Sequence, residues 1–198
     1  MTQTRQRLTA GARRQAVLDT ACRVFAVSSY RGATTAEIAR EAGISEPILY
    51  RHFGSKRDLY LACLDQAWAD LRGLAETAVA ERPETCLGAV ADAFMAKRAK
   101  IRVIDLWIQG LNETAEDPVI TKALRRQIRE VHDFFTGLIV DGQARGVLAA
   151  DRDARAEAWI FVAGGLLATI DQRLGGLLGG DFEAVRRERR RWMHATPS

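Results

Sequence analysis

Residues 34–59, TTAEIAREAGISEPILYRHFGSKRDL, decide the fold of the N-terminal part of the chain. Thr34 and Glu37 have the spacing of a capping box, which predicts a helix that begins just after Thr34. Gly43 ends this helix at a position where a left-handed backbone costs little, and Ser45 is placed to cap a second helix. The stretch therefore predicts two short helices joined by a tight turn, with a third helix following at once.

Two short helices joined by a glycine-containing turn form a helix-turn-helix, whose second helix can enter the major groove of DNA. Only the leading turn of that second helix brings side chains to base edges, and here it contains Ser45, Glu46, Pro47 and Ile48. Glu46 leaves two interpretations open. It either accepts a hydrogen bond from a cytosine amine, or it is an acid that the helix dipole stabilises.

The stretch from about residue 12 to residue 62 resembles the N-terminal domain of the TetR family of bacterial transcriptional regulators. Most of the resemblance lies in the pattern LYxHFxxKxxL over residues 49–59, which is far more specific than a bare helix-turn-helix. The family implies that Thr35, Tyr50, His52 and Lys56 contact DNA phosphates and so position the second helix.

The sequence leaves two interpretations for each of two side chains in this stretch. Tyr50 either contacts phosphate or packs inside the small domain, and Arg51 either contacts phosphate or reads a base. The full set of predicted DNA-contacting residues is Thr34, Thr35, Ser45, Glu46, Pro47, Ile48, Tyr50, Arg51, His52 and Lys56.

The composition predicts an all-α protein with a packed core. The 198 residues are 47% hydrophobic and 27% charged, with only four prolines, and no run of alternating β-branched residues indicates a strand. Residues 1–57 carry a net charge of +6, whereas the rest of the chain carries −2. Positive charge thus accumulates around the helix-turn-helix, as phosphate binding requires.

We expect two domains joined by a long helix. Residues 1–54 should form an N-terminal arm and the helix-turn-helix domain, and residues 55–198 a larger helical domain for ligand binding and dimerisation. Within the larger domain, residues 55–80 form the connecting helix. A helix of about 25 residues is about 37 Å long, so it must extend beyond a domain of some 50 residues.

Local signals place the helix boundaries in the larger domain. Ser55 and Asp58 form a second capping box at the start of the connecting helix. Pro83 is expected to begin the next helix, and Asp117 followed by Pro118 to begin a long one.

The larger domain contains aromatic and methionine residues that suit either a packed core or a cavity for an apolar ligand. Most such residues belong to cores, so the sequence permits a binding site without showing one. The candidate ligand-contacting residues are Phe94, Met95, Trp107, Leu111, Phe134, Phe135 and Trp159.

A single short recognition helix reads few base pairs, which favours a homodimer that binds two half-sites of a palindrome about 34 Å apart. The predicted helix after Asp153 has apolar residues on more than one face, as a subunit interface or a central position would require. The family resemblance implies that residues 153–194, approximately, form this interface as a four-helix bundle.

Motifs of enzymes are missing from the sequence. It contains no G-x-S-x-G, Walker A or dinucleotide-binding glycine pattern, and its three histidines lack partners at metal-ligand spacing. We therefore predict no catalytic residue, metal or cofactor. No export signal is evident, and the longest apolar run, residues 158–170, is too short to span a membrane, so a cytoplasmic, nucleoid-associated protein is expected.

Together with the family resemblance, these observations predict a homodimeric repressor that a small, largely apolar effector releases from double-stranded operator DNA. Two other classes stay open: a DNA-binding protein without an effector, and a ligand-binding protein without DNA activity. Retention of Thr35, His52 and Lys56 argues against the second of these.

Overall fold

The structure, a computed structural model, describes residues 9–97 and 100–193. Over these residues it contains nine α-helices and no strand, which confirms the predicted all-α class. The helices are α1 (Ala10–Val27), α2 (Thr35–Glu41), α3 (Glu46–His52), α4 (Lys56–Glu81), α5 (Leu87–Lys97), α6 (Val103–Leu111), α7 (Pro118–Ala144), α8 (Ala154–Arg173) and α9 (Asp181–Met193). The predicted N-terminal arm lies outside the described residues, apart from Thr9.

The chain divides into two compact units. The described residues up to Ala67 form the first unit together with Asp105–Leu124, and the described residues of Trp68–Ile104 and from Arg125 onward form the second. Helices α4 and α7 each contribute residues to both units. The proposed functional boundary at residue 55 is a different division and stays a prediction.

An aromatic cluster fills the core of the first unit. Tyr60 of α4 is fully buried, and its ring lies edge-on to Phe25 and to Tyr30, with both pairs of ring centroids 5.1 Å apart. The Tyr60 hydroxyl donates a hydrogen bond of 2.5 Å to the backbone carbonyl of Leu106 in α6. One side chain therefore joins the N-terminal helices to α6.

Capping residues set the start of two long helices as predicted. The Ser55 hydroxyl accepts the backbone N–H of Asp58 at 3.0 Å and donates to its carboxylate at 2.8 Å, immediately before the 26-residue helix α4. The Asp117 carboxylate accepts the backbone N–H groups of Val119 and Ile120 at 2.9 and 3.1 Å, just before α7. Both boundaries follow from local chemistry.

The prediction that Pro83 begins the next helix is wrong. Residues 83–86 form turns, and α5 begins only at Leu87. The Thr85 backbone N–H and hydroxyl both donate to the carbonyl of Arg82 at 3.2 Å, which closes a reverse turn. Cys86 then has a φ of +40°, a left-handed conformation that a helix cannot include.

The second unit is a helical core of α5, α7 and α8 with the C-terminal part of α4. Phe135 is almost fully buried and its ring lies 4.7 Å from that of Phe161, while Trp68 and Phe134 meet edge-on at 5.5 Å. Asp153 caps α8 by accepting two backbone N–H groups, at 2.8 and 3.1 Å. In the part of the chain that the structure describes, no helix is both long and apolar enough to cross a membrane.

Replacement of Tyr60 by Phe should destabilise the protein by about 1 kcal/mol near neutral pH, because a buried hydrogen bond is lost. Burial raises the pKa of the Tyr60 phenol above its ordinary value of 10.0. The folded state therefore holds the phenol proton more tightly than the unfolded chain does, so wild-type stability should fall as the pH rises above about 10.

Urea unfolding measured from about pH 8 to about pH 11 tests this expectation, since the difference between wild type and Tyr60→Phe should shrink at the alkaline end. Parallel curves for wild type and Tyr60→Phe would contradict the assignment.

Candidate nucleic-acid interface

The turn between α2 and α3 is a Schellman motif. The backbone N–H of Gly43 donates to the carbonyl of Arg40 at 3.1 Å, and that of Ile44 donates to the carbonyl of Ala39 at 3.0 Å. Gly43 has a φ of +68°, the left-handed conformation that this motif needs and that glycine adopts without strain. This turn sets the angle at which α3 leaves α2.

Helix α3 presents one polar face to solvent. Leu49 is fully buried, as is Ile38 of α2, and these two side chains anchor the helix to the core. Pro47, Tyr50 and Arg51 are exposed, while Glu46, Ile48 and His52 are half-buried.

The two predicted N-caps of this region differ. The Thr34 hydroxyl accepts the backbone N–H of Glu37 at 3.1 Å, as the capping box requires. Ser45 occupies the N-cap position of α3, but its side chain makes no capping hydrogen bond, so that expectation is wrong. The physical reason is local: Pro47 has no N–H to offer, and the N–H of Ile48 donates to the backbone carbonyl of Ser45 at 3.0 Å.

Three of the predicted DNA-contacting residues bind one another. The Thr35 hydroxyl donates to the Glu46 carboxylate at 2.5 Å and lies 3.1 Å from the Tyr50 hydroxyl. Thr35 is only 8% exposed. This cluster joins the first residue of α2 to two successive turns of α3.

Lys56, at the start of α4, is held by the loop that follows α1. Its ammonium donates to the backbone carbonyl of Arg31 at 3.4 Å and lies 4.7 Å from the centre of the Tyr30 ring. Burial lowers the pKa of Lys56 below its ordinary value, while the nearby Glu113 carboxylate acts in the opposite direction. The charge is therefore fixed in position beside the N-terminus of α4.

Sequence reasoning missed two ion-paired arginines in this unit. Arg31 pairs with Glu113 at 3.0 Å and also with Glu116, and Arg57 pairs with Asp117 at 3.3 Å. The acids lie 60 to 85 residues further along the chain, so no local spacing could reveal these pairs. Part of the positive charge counted in residues 1–57 is thus neutralised by the α6–α7 loop.

The candidate ligand-contacting residues fall into both units. Trp107, which is buried, and Leu111, which is 53% exposed, belong to α6 in the first unit. The other five belong to the second unit, where Phe134 lies 5.4 Å from Phe135. Trp159 stacks on His132 with ring centroids 4.2 Å apart and is 46% exposed. The structure therefore does not gather all seven residues in one unit.

No group of three or more histidine, cysteine, aspartate and glutamate side chains within the described ranges has a geometry that could hold a metal ion. The three cysteines are buried and free, and none takes part in the interface. The polar chemistry of this region thus consists of hydroxyl, carboxylate, imidazole and cationic groups on α2, α3 and the start of α4.

A buried aromatic core, a Schellman turn and an outward-facing α3 define a helix-turn-helix domain at the N-terminus of an all-α protein. Residues 17–63 match the family model described as bacterial regulatory proteins of the tetR family. The resemblance noted in the sequence is therefore confirmed for this stretch, which is similar to the DNA-binding part of TetR-family regulators.

Individual relatives support this assignment. The chain is 47% identical over 60 residues to the HTH-type transcriptional activator FasR of Mycolicibacterium smegmatis, covering 30% of this chain and 27% of that protein. The chain spans less than two thirds of the length of each of the curated relatives considered.

Solved structures of regulators share the fold over most of the chain. A TetR-family regulator from Agrobacterium tumefaciens superposes with a TM-score of 0.72 at 22% identity, over 94% of this chain and 100% of that one. The structure of AibR in complex with isovaleryl coenzyme A and operator DNA superposes with a TM-score of 0.60 at 20% identity, over 78% of this chain and 84% of that one.

Proposed function

We propose that this protein is a homodimeric repressor that binds a palindromic operator through α3 and is released from it by a small, largely apolar effector. The observation that carries the proposal is the geometry of α3: a fully buried Leu49 fixes the helix, and its exposed residues lie on the opposite face. Such a helix can enter the major groove while α2 and the start of α4 contact the flanking phosphates.

The polar groups around α3 suit backbone recognition. Tyr50 offers a hydroxyl on the outer face, and Arg51 and Lys56 offer charges on either side of the tight turn that separates α3 from α4. Hydroxyls and cations of this kind bind phosphate oxygens and position a recognition helix without reading sequence. Ser45 and Pro47 are exposed in the leading turn, where contacts with base edges are made.

Apolar residues that stay exposed on the C-terminal helices support dimerisation through residues 153–194, approximately, of which the structure describes residues up to 193. The most exposed large apolar side chains of this region are Trp159, Ile160, Ile170, Leu174, Leu177, Val185 and Trp192, each between 43% and 63% exposed. Ile160, Ala163, Leu167 and Ile170 recur at helical spacing on one face of α8, and Leu174 follows at the same spacing as the C-cap residue. A stripe of this kind on a single chain indicates a protein–protein contact.

Two arginines of α9 form ion pairs within the second unit, which reduces the positive charge that would oppose this contact. Arg186 pairs with Asp92 and Glu183, and Arg189 pairs with Glu157, which is nearly buried. Their charge is thus balanced locally.

Effector binding would use the second unit, where Phe94, Met95, Phe134, Phe135 and Trp159 supply apolar surface. AibR, a structural neighbour, was solved with both an acyl coenzyme A and operator DNA, which supports a ligand-responsive mechanism for this fold. Helices α4 and α7 continue from the second unit into the first, where Tyr60 contacts Leu106 and Arg31 pairs with Glu113. A shift of either helix on effector binding would reach the helix-turn-helix through these contacts.

Binding to DNA should weaken steeply with salt, because the proposed contacts to phosphate release counterions. Lys56→Ala should weaken binding to operator and unrelated DNA alike and lower the salt slope by about one. Fluorescence anisotropy on an operator selected from random DNA, titrated over a series of salt concentrations, measures both effects. Arg72→Ala is the charge-matched control on the exposed surface of α4, and salt-insensitive binding would contradict the proposal.

Ile160→Glu should convert the dimer into a monomer, since a carboxylate would be buried in an apolar contact. Sedimentation velocity should then report the chain mass of 21.9 kDa instead of twice that value. Val119→Glu places the same charge on an exposed apolar position of α7 and should leave the dimer intact. A wild-type protein that is monomeric at all concentrations would refute this part of the proposal.

An effector should raise the melting temperature and release the operator at the same concentrations. A thermal-shift screen of small apolar acids, amines and aromatic compounds, followed by anisotropy on the operator, identifies such a compound. Phe134→Ala should reduce both responses while DNA affinity without the compound stays unchanged. Full release in Phe134→Ala at the wild-type compound concentration would place the effector elsewhere.

A further inference from the structure

The sequence left the role of Glu46 open, and the contact of its carboxylate with Thr35 indicates a role other than base reading. Glu46 lies in the leading turn of α3, where a base-reading carboxylate must point toward the groove. Instead its carboxylate accepts the hydroxyl of Thr35 at 2.5 Å, so it is turned toward α2. Tyr50, one turn further along α3, reaches the same hydroxyl at 3.1 Å.

The protons of this cluster can be assigned from its chemistry. An ionised carboxylate only accepts, so the single proton of Thr35 is donated to Glu46. The Tyr50 hydroxyl must then donate its own proton to the oxygen of Thr35. Both hydroxyl protons are therefore directed at groups within the protein. A phosphate oxygen, which also only accepts, can bind these hydroxyls only if they leave their present partners.

We propose that Glu46 is a positioning residue that competes with the DNA phosphate for the hydroxyl protons of Thr35 and Tyr50. The carboxylate holds the Thr35 hydroxyl, which in turn holds the phenol of Tyr50. DNA must break at least one of these hydrogen bonds to gain its own. Glu46 thereby lowers affinity for every DNA sequence to a similar extent, and it does not choose a base. This inference rests on the DNA binding proposed above.

Glu46→Gln tests the competition, because glutamine has nearly the same size and lacks the charge. We expect it to bind both operator and unrelated DNA about tenfold more tightly, with an unchanged ratio between them, since hydrogen bonds to charged groups are about twice as strong as neutral ones. Anisotropy titrations at one fixed salt concentration measure the change, and the melting temperature shows that each variant is folded.

Thr35 provides the decisive second variant. If Glu46 acts through the Thr35 hydroxyl, the gain from Glu46→Gln should be lost in a Thr35→Val background and kept in a Thr35→Ser background, which retains the hydroxyl. Glu37→Gln removes another negative charge from the first turn of α2 and should raise affinity by less than about twofold, because screening weakens a general charge effect.

Several outcomes would overturn the inference. A loss of affinity in Glu46→Gln confined to one operator base pair would show that Glu46 reads a base. An equal gain from Glu37→Gln, or a gain that persists in Thr35→Val, would show simple charge repulsion. Wild-type binding with no gain in Glu46→Gln would refute the inference alone. Absence of wild-type binding to any selected DNA would refute the proposed function and this inference with it.

Discussion

The first unit depends on the burial of one phenol. Tyr60 is fully buried, and its ring contacts one aromatic ring at the end of α1 and another in the loop that follows it. A hydroxyl in such a place costs free energy unless it finds a partner, and the Leu106 carbonyl is that partner. This hydrogen bond joins α6 to the helix-turn-helix domain, and the ion pairs of Arg31 and Arg57 add contacts at the surface.

The polar side chains of the candidate DNA-binding surface already have partners within the protein. Thr35, Glu46 and Tyr50 satisfy one another, and Lys56 rests on a carbonyl and a ring. Polar groups held in this way lose little conformational entropy when they bind, but each must exchange a partner for the ligand. Such a surface is ordered before DNA binds. Its affinity for DNA depends on the difference in free energy between the hydrogen bonds within the protein and those that it would make with phosphate.

The second unit has a packed interior but leaves large apolar side chains exposed on its surface. Its interior is packed, with Phe135, Val131 and Ile139 almost fully buried, yet α8 and α9 leave several large apolar side chains half exposed. A helix buried on one side needs one apolar face, and α8 carries more than that. This surplus of exposed apolar surface supports the proposal that a second copy of the chain packs against α8 and α9.

Much of the fold was predictable because its signals are local. The N-cap hydrogen bonds at Thr34, Ser55 and Asp117 and the left-handed turn at Gly43 all depend on residues two to four positions apart, and all are found as expected. Local reasoning failed at Pro83 and Ser45. In both places the backbone closed a turn through its own carbonyl groups, so the side-chain signal was not used.

The amino-acid sequence by itself determined the helical class and the helix-turn-helix, because periodicity, capping and turn residues act over single turns of chain. Only the tertiary structure decided where the polar atoms of the site point. The bond from Thr35 to Glu46 spans 11 residues and the pair of Arg31 with Glu113 spans 82, so each exists only once separate helices pack together. Spacing along the chain cannot report which donor meets which acceptor, since that choice is made by packing.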